Sequence, residues 1–131
     1  MYRYYNPNPD GNNVGDCTIR AICKATGEDW DTVFAALTAQ AFYMKNMPSA
    51  NHVWGSYLRR KGFERRIVDD KGRDIYTVAD FADDHNKGTY ILAVPEHVVC
   101  VQNGNYYDTW DSGREIPVYY WRKYGTSGEV E

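Results

Sequence analysis

The texture of the chain changes at Thr89, and no other feature restricts its possible folds as much. Before that point apolar residues recur at helical spacing. After it, residues 89–94, 98–102, 106–110 and 117–121 form four short segments rich in β-branched and aromatic side chains. Within them, Asn103-Gly104 is the strongest turn signal, because a type I′ hairpin turn needs positive φ at both central positions and these residues adopt it at little cost. At 131 residues the chain has the size of one domain. Residues 1–131 therefore read as a single α+β domain, with N-terminal helices packed on a C-terminal antiparallel β-sheet.

The first half supplies four candidate helices. Residues 1–16 read as an extended arm and loop, since Asn6-Pro7-Asn8-Pro9-Asp10-Gly11-Asn12-Asn13 is nearly continuous turn chemistry. Asp16 is then a candidate N-cap for a helix ending at Thr26-Gly27, which places Cys17 in its first turn. Residues 30–43 follow behind Asp29, with Val33, Phe34, Leu37 and Ala41 on the apolar stripe. A third helix is expected over 52–61, before Gly62, and Thr77-Val78-Ala79-Asp80 has the form of a capping box opening a fourth, closed by Gly88. Residues 63–68 alternate like a short strand.

Composition removes several function classes. Hydrophobic residues at 43% and charged residues at 25% are the proportions of a packed domain rather than a disordered chain. The formal charge of -3, without a Lys/Arg-rich block, gives no electrostatic footprint for nucleic acid. Arg59-Arg60-Lys61 and Arg65-Arg66 read as a solvated helix end and adjoining strand. No apolar run reaches the roughly 18 residues of a membrane helix, and the first residues lack the apolar stretch of a signal peptide. The expectation is a cytoplasmic protein with no membrane partner. Cys17, Cys23 and Cys100 are odd in number and lack paired spacing, which speaks against a disulfide framework and a structural zinc site.

The chemistry is concentrated at three points. Gly15-Asp16-Cys17 puts a thiol at a helix N-terminus, where unpaired amides favour a thiolate. Cys23 and Cys100 fall on apolar positions and read as core. Glu96-His97-Val98-Val99 sets a histidine at the mouth of a strand, while His52 and His85 have polar surroundings and no partner signature. If Asn103-Gly104 forms a two-residue turn, Gln102 pairs with Asn105 and Val99 with Asp108, which puts Asp108 on the sheet face of His97 and diagonally next to it. A longer turn would instead bring Asp111 to His97.

A thiol at the start of an early helix, then helices, then a strand-end histidine and a polar residue on the next strand resembles the layout of papain-like cysteine peptidases. In this order the chain is similar to their compact bacterial and phage forms, the NlpC-type cell-wall peptidases and the bacteriocin-leader-processing peptidases. The matching stretches are 14–17, 96–99 and 103–111. The resemblance implies a papain-like fold, Cys17 as nucleophile, His97 as general base and acid, Asp108 as the group holding the imidazole, a peptide or protein substrate, and no cofactor or metal. A Cys–His pair of this kind attacks an acyl carbon and forms a thioester. The backbone N–H of Cys17 is one oxyanion donor. The glutamine that usually precedes the cysteine in these enzymes is absent, which leaves Asn12 or Asn13 as the second.

Three other readings share these residues. The same triad can pass its acyl group to an amine, as an acyltransferase. A phage-type accessory protein could keep the fold and bind a partner through its aromatic-rich cleft or the basic residues 59–66. Zinc on Cys17, His97 and Asp108 is a third, though these ligands lack paired spacing.

Overall fold

The protein is described here over residues 1–123, by a computed structural model. In chain order it runs β1 (Tyr2–Tyr4), α1 (Cys17–Thr26), α2 (Trp30–Met44), α3 (Asn51–Arg60), β2 (Phe63–Ile67), α4 (Val78–Asp84), β3 (Thr89–Val94), β4 (His97–Gln102), β5 (Asn105–Asp108) and β6 (Tyr119–Lys123). The fold is α+β, helices first and most of the sheet after.

Local chemistry accounts for most of these boundaries. Gly27 closes α1 in the left-handed region at φ 78, with its N–H on the Cys23 carbonyl. The Asp29 side chain caps α2 by accepting from the Thr32 N–H, and Thr77 with Asp80 forms a reciprocal capping box on α4. That helix ends at Asp84, short of Gly88, where the chain turns into β3. Asn103 at φ 50 and Gly104 at φ 84 make the two-residue turn, and Gln102 stands opposite Asn105.

The six strands lie in the order β1-β5-β4-β3-β6-β2. The sheet is mixed rather than antiparallel throughout, because the arm read as loop supplies an edge strand, β1, parallel to β5. Tyr2 stands opposite Tyr106 and Tyr4 opposite Asp108. Three residues of alternating polarity carry too weak a pattern to announce a strand, and the pairing is decided by the partner's open edge. At the other edge β2 joins β6, from Phe63 opposite Lys123 to Ile67 opposite Tyr119.

Apolar layers cover both sheet faces. On one side Ile19, Ile22, Leu37, Trp54 and Leu58 from α1–α3 pack on Ile91, Cys100 and Trp121. On the other, Val78 and Phe81 of α4 pack on Tyr90, Leu92, Val99 and Val101. This double cover is why β3 and β4 are nearly continuous apolar runs instead of alternating ones. Among the described residues, no helix is long and apolar enough to cross a membrane.

Candidate active site

Cys17 is the first residue of α1, and its half-buried thiol lies at the floor of an open cavity of about 550 Å³ with His97, Asn51 and Trp54 among the walls. A larger cavity of about 790 Å³ between α2 and α3 is lined by side chains such as Glu28, Tyr57 and Lys61, which already bond to one another, and holds neither thiol nor histidine. The thiol and the imidazole both line the smaller one.

His97 opens β4 directly after the turn at Pro95-Glu96, where Glu96 takes φ 57. Its Nε2 is 2.6 Å from Oδ2 of Asp108, the last residue of β5. The ring nitrogen left to face the thiol is therefore Nδ1, and the imidazole lies near enough to Cys17 for each to shift the other's protonation. The Val98 backbone amide also favours the Cys17 thiolate. Trp110 leans over the imidazole with centroids 4.9 Å apart and is 45% exposed, so it covers one ring face and borders solvent.

Asp108 has no exposed surface, and each carboxylate oxygen takes two donors. Oδ1 accepts from Arg20 Nη2 at 2.9 Å and from the Thr109 N–H at 2.9 Å; Oδ2 accepts from His97 and from Ser112 Oγ at 2.6 Å. Its backbone carbonyl is held by the N-terminal arm, through the N–H of Tyr5, just after β1, at 2.9 Å and the Tyr2 hydroxyl at 3.2 Å. Arg20, 4% exposed, reaches back with Nη1 to Asp16 Oδ1 at 2.7 Å. Trp30 Nε1 donates to the other Asp16 oxygen at 2.8 Å. Asp16 stands at the N-cap position of α1, but its carboxylate makes no capping bond, because the guanidinium and the indole hold it instead.

These contacts set the protonation states. Burial alone would push the Cys17 thiol up; the hydrogen bond and charge of His97, with the Val98 amide and Arg20, outweigh it and hold the thiol below its ordinary value. Burial likewise disfavours the imidazolium, yet the bonds to Asp108 and Cys17 carry His97 up to about 9. Burial works against the Asp108 carboxylate too, and the donors His97 and Ser112 bring it below the usual carboxylate range. Both shifts favour a thiolate beside an imidazolium. Cys23 and Cys100, by contrast, are pushed up to about 12 by burial and are inert.

The structure brings Cys17, His97 and Asp108 together, with Asp108 rather than Asp111 at the imidazole. Asp111 instead accepts from the Tyr106 hydroxyl at 2.7 Å and the Gly113 N–H at 3.0 Å, the role of a turn residue. Asn12 and Asn13 do not reach the cavity: both are exposed, and the Asn12 N–H and carbonyl serve the Asn-rich loop through Asn8 and Asn6. Asn51, at the start of α3, is the side-chain amide that does line the cavity beside Cys17. The three site residues do not converge on a common point, since Asp108 lies behind His97, and among the described residues no His, Cys, Asp or Glu group is arranged to hold a metal ion.

Arg20 and Ser112 escaped the sequence reading. Arg20 interrupts the apolar face of α1, and that interruption was its one visible signal; Ser112 sat in what read as an ordinary turn. The basic residues are locally engaged, Lys61 with Glu28, Arg66 with Glu64 and Arg59 over the Trp121 ring. Comparisons with family models, with curated proteins and with solved structures found no match for this chain.

Proposed function

We propose that the protein is a thiol hydrolase of papain-like type that cleaves a peptide, isopeptide or related amide bond through a Cys17 thioester. One observation carries the reading: a thiol at a helix N-terminus shares the wall of an open cavity with an imidazole, and the far ring nitrogen of that imidazole is 2.6 Å from a buried carboxylate. Structural cysteines do not need this arrangement.

In the proposed reaction the Cys17 thiolate attacks the carbonyl carbon and the carbonyl π electrons move to oxygen. The backbone N–H of Cys17 stabilises that oxyanion. Collapse reforms the carbonyl and breaks the C–N bond, while His97 gives its proton to the departing amine. A water then attacks the thioester, His97 takes one of its protons, and the C–S bond breaks to release the carboxylic acid and restore the thiolate and imidazolium. Asp108 keeps the imidazole oriented throughout. If an amine replaces water in the second half, the same steps give acyl transfer. Because Asn51 lines the cavity and Asn12 and Asn13 do not, Asn51 is the side chain to test as second oxyanion donor. The three unpaired thiols fit a reducing, cytoplasmic setting.

The test is acyl-enzyme trapping. The protein is mixed with a panel of peptidyl activated esters and amides, and intact mass spectrometry follows the adduct on Cys17 alongside release of the amine. The expected result is an adduct that forms and decays in the wild type, is absent in Cys17→Ala, and accumulates slowly or not at all in His97→Ala. A Cys17 that labels with iodoacetamide but never acylates and never turns over any member of the panel would overturn the proposal.

A further inference from the structure

Arg20 is a buried cation that the chemistry just described does not use. It lies on α1 three residues after Cys17, is 4% exposed, and spans two carboxylates: Asp16, the residue before the nucleophile, and Asp108, the residue behind the imidazole. A guanidinium presents its donors in a rigid fork and can hold two carboxylates at fixed separation, which a single ammonium cannot do as well. Those two carboxylates belong to the two halves of the site. One sits on the helix that carries the thiol, the other on the strand that orients the histidine.

We propose that Arg20 is the positioning residue of the site, clamping α1 to β5 so that Cys17 and His97 keep their relative placement, and drawing the Asp16 carboxylate off the N-terminus of α1. This rests on the thiolate–imidazole reading above.

The second half of the role follows from capping chemistry. An aspartate at an N-cap ordinarily turns its carboxylate onto the amides of the first helical turn. Here that would place a negative charge beside the Cys17 thiolate and occupy amides next to where the oxyanion develops. Arg20 and Trp30 together take both Asp16 oxygens, and no capping bond is made. The first half follows from connectivity. Asp108 is tied to Ser112 and Thr109, which lie on its own strand and loop, so Arg20 is its side-chain tie to the helix of the nucleophile.

The test measures the pH dependence of Cys17 alkylation by limiting iodoacetamide in wild type, Arg20→Lys and the charge-balanced pair Asp16→Asn with Arg20→Met, each checked for folding by circular dichroism. The double variant removes the cation together with its extra carboxylate, so a fold that rejects unpaired buried charge can still form. Both variants are expected to lose the low-pH arm of the profile, with alkylation at pH 6 slowed at least tenfold and the midpoint moved upward. A role in stability alone would lower Tm and leave the profile of the folded protein unchanged. A wild-type profile in either folded variant therefore overturns the assignment to Arg20 while leaving the triad standing. If instead the wild type itself shows an ordinary thiol profile that His97→Ala does not change, the triad reading fails first.

Discussion

The sharpest consequence of the site concerns the thiol in His97→Ala. In the wild type, burial disfavours the Cys17 thiolate and the imidazole overrides it. Without the imidazole, burial faces only the Val98 amide and Arg20, so the thiol is expected to return to its ordinary value of 9.0 or rise past it. The size of the effect can be worked out. Opposite unit charges about 4 Å apart at an effective dielectric of about 20 attract by about 4 kcal/mol. That corresponds to roughly a thousandfold in thiolate population. A less basic thiolate is also a weaker nucleophile, and for a change of this size the loss is roughly ten- to thirtyfold. The net expectation is alkylation at pH 6 about thirtyfold faster in wild type than in His97→Ala, with the two profiles converging above pH 9. The assay is intact-mass readout of singly labelled protein after brief, limiting iodoacetamide, with peptide mapping to place the label on Cys17. Cys23 and Cys100 are buried and stay unlabelled. Equal rates at pH 6 with parallel profiles would refute the reasoning, because no thiolate–imidazolium pair would then exist.

Further outcomes follow from the contacts around it. Asp108→Asn removes the charge that supports the imidazolium, so NMR titration should find His97 falling from about 9 toward its ordinary 6.5; breaking a buried pair with Arg20 also costs about 3–5 kcal/mol of stability in denaturant unfolding. Ser112→Ala deletes a buried 2.6 Å donor to Asp108 and is expected to cost about 1.5–3 kcal/mol, read from the urea midpoint. The pair has its own pH signature. His97, raised when folded, stabilises fully below 6.5 and loses that contribution as pH rises to about 9; Cys17, lowered when folded, contributes fully above 9.0 and loses it as pH falls through its folded value. The two slopes oppose each other where the titrations overlap, so the pair flattens the pH dependence of stability there. Cys17→Ala uncovers the His97 slope, and relative to wild type its stability should fall by up to about 1.4 kcal/mol per pH unit above 6.5; parallel Tm curves across pH 6–9 would count against the coupling. Gly113→Ala would drive a Cβ into the Tyr106 hydroxyl, and the displacement is expected to cost about 1–3 kcal/mol, measured as a lowered Tm.

The parts of this molecule that could be read ahead of the structure are those governed by local chemistry. Asn103-Gly104 fixes a two-residue turn, and through register that turn alone puts Asp108, not Asp111, on the diagonal of His97. Gly27, Asp29 and the Thr77–Asp80 box act within one helical turn and end or begin helices where expected. The misreadings concern residues whose partners are distant in sequence. Asp16 is a good cap in isolation, but Arg20 and Trp30 outbid the helix amides for it. Tyr2–Tyr4 has no strand pattern of its own and pairs because β5 offers an edge. Asn12 and Asn13 were placed near Cys17 by sequence distance, while the loop's own hydrogen bonds turn it away. Asn51 lies thirty-four positions from Cys17 in the numbering and reaches the cavity only because α3, packed on α2 and β2, shares one core layer with α1.

The same distinction explains how so much charge is tolerated inside the domain. Asp16, Arg20, Asp108, His97 and Cys17 form a line of contacts in which negative and positive groups alternate when the thiol is ionised and the imidazole protonated. Each buried charge then has opposite neighbours, so the desolvation cost of each is offset locally. Removing an interior member joins like charges across the gap; removing an end member does not. Asp16→Asn should therefore be milder than Asp108→Asn, even though both delete one carboxylate bonded to Arg20. Asp16 also keeps an acceptor oxygen for Arg20 in that variant, whereas Asp108→Asn leaves His97 and Arg20 sharing one neutral amide. Comparable losses of stability and of low-pH alkylation in the two variants would show that the charges act singly and not as an alternating line. A clear gap between them would tie the thiolate at one end of the line to the carboxylates that no substrate touches.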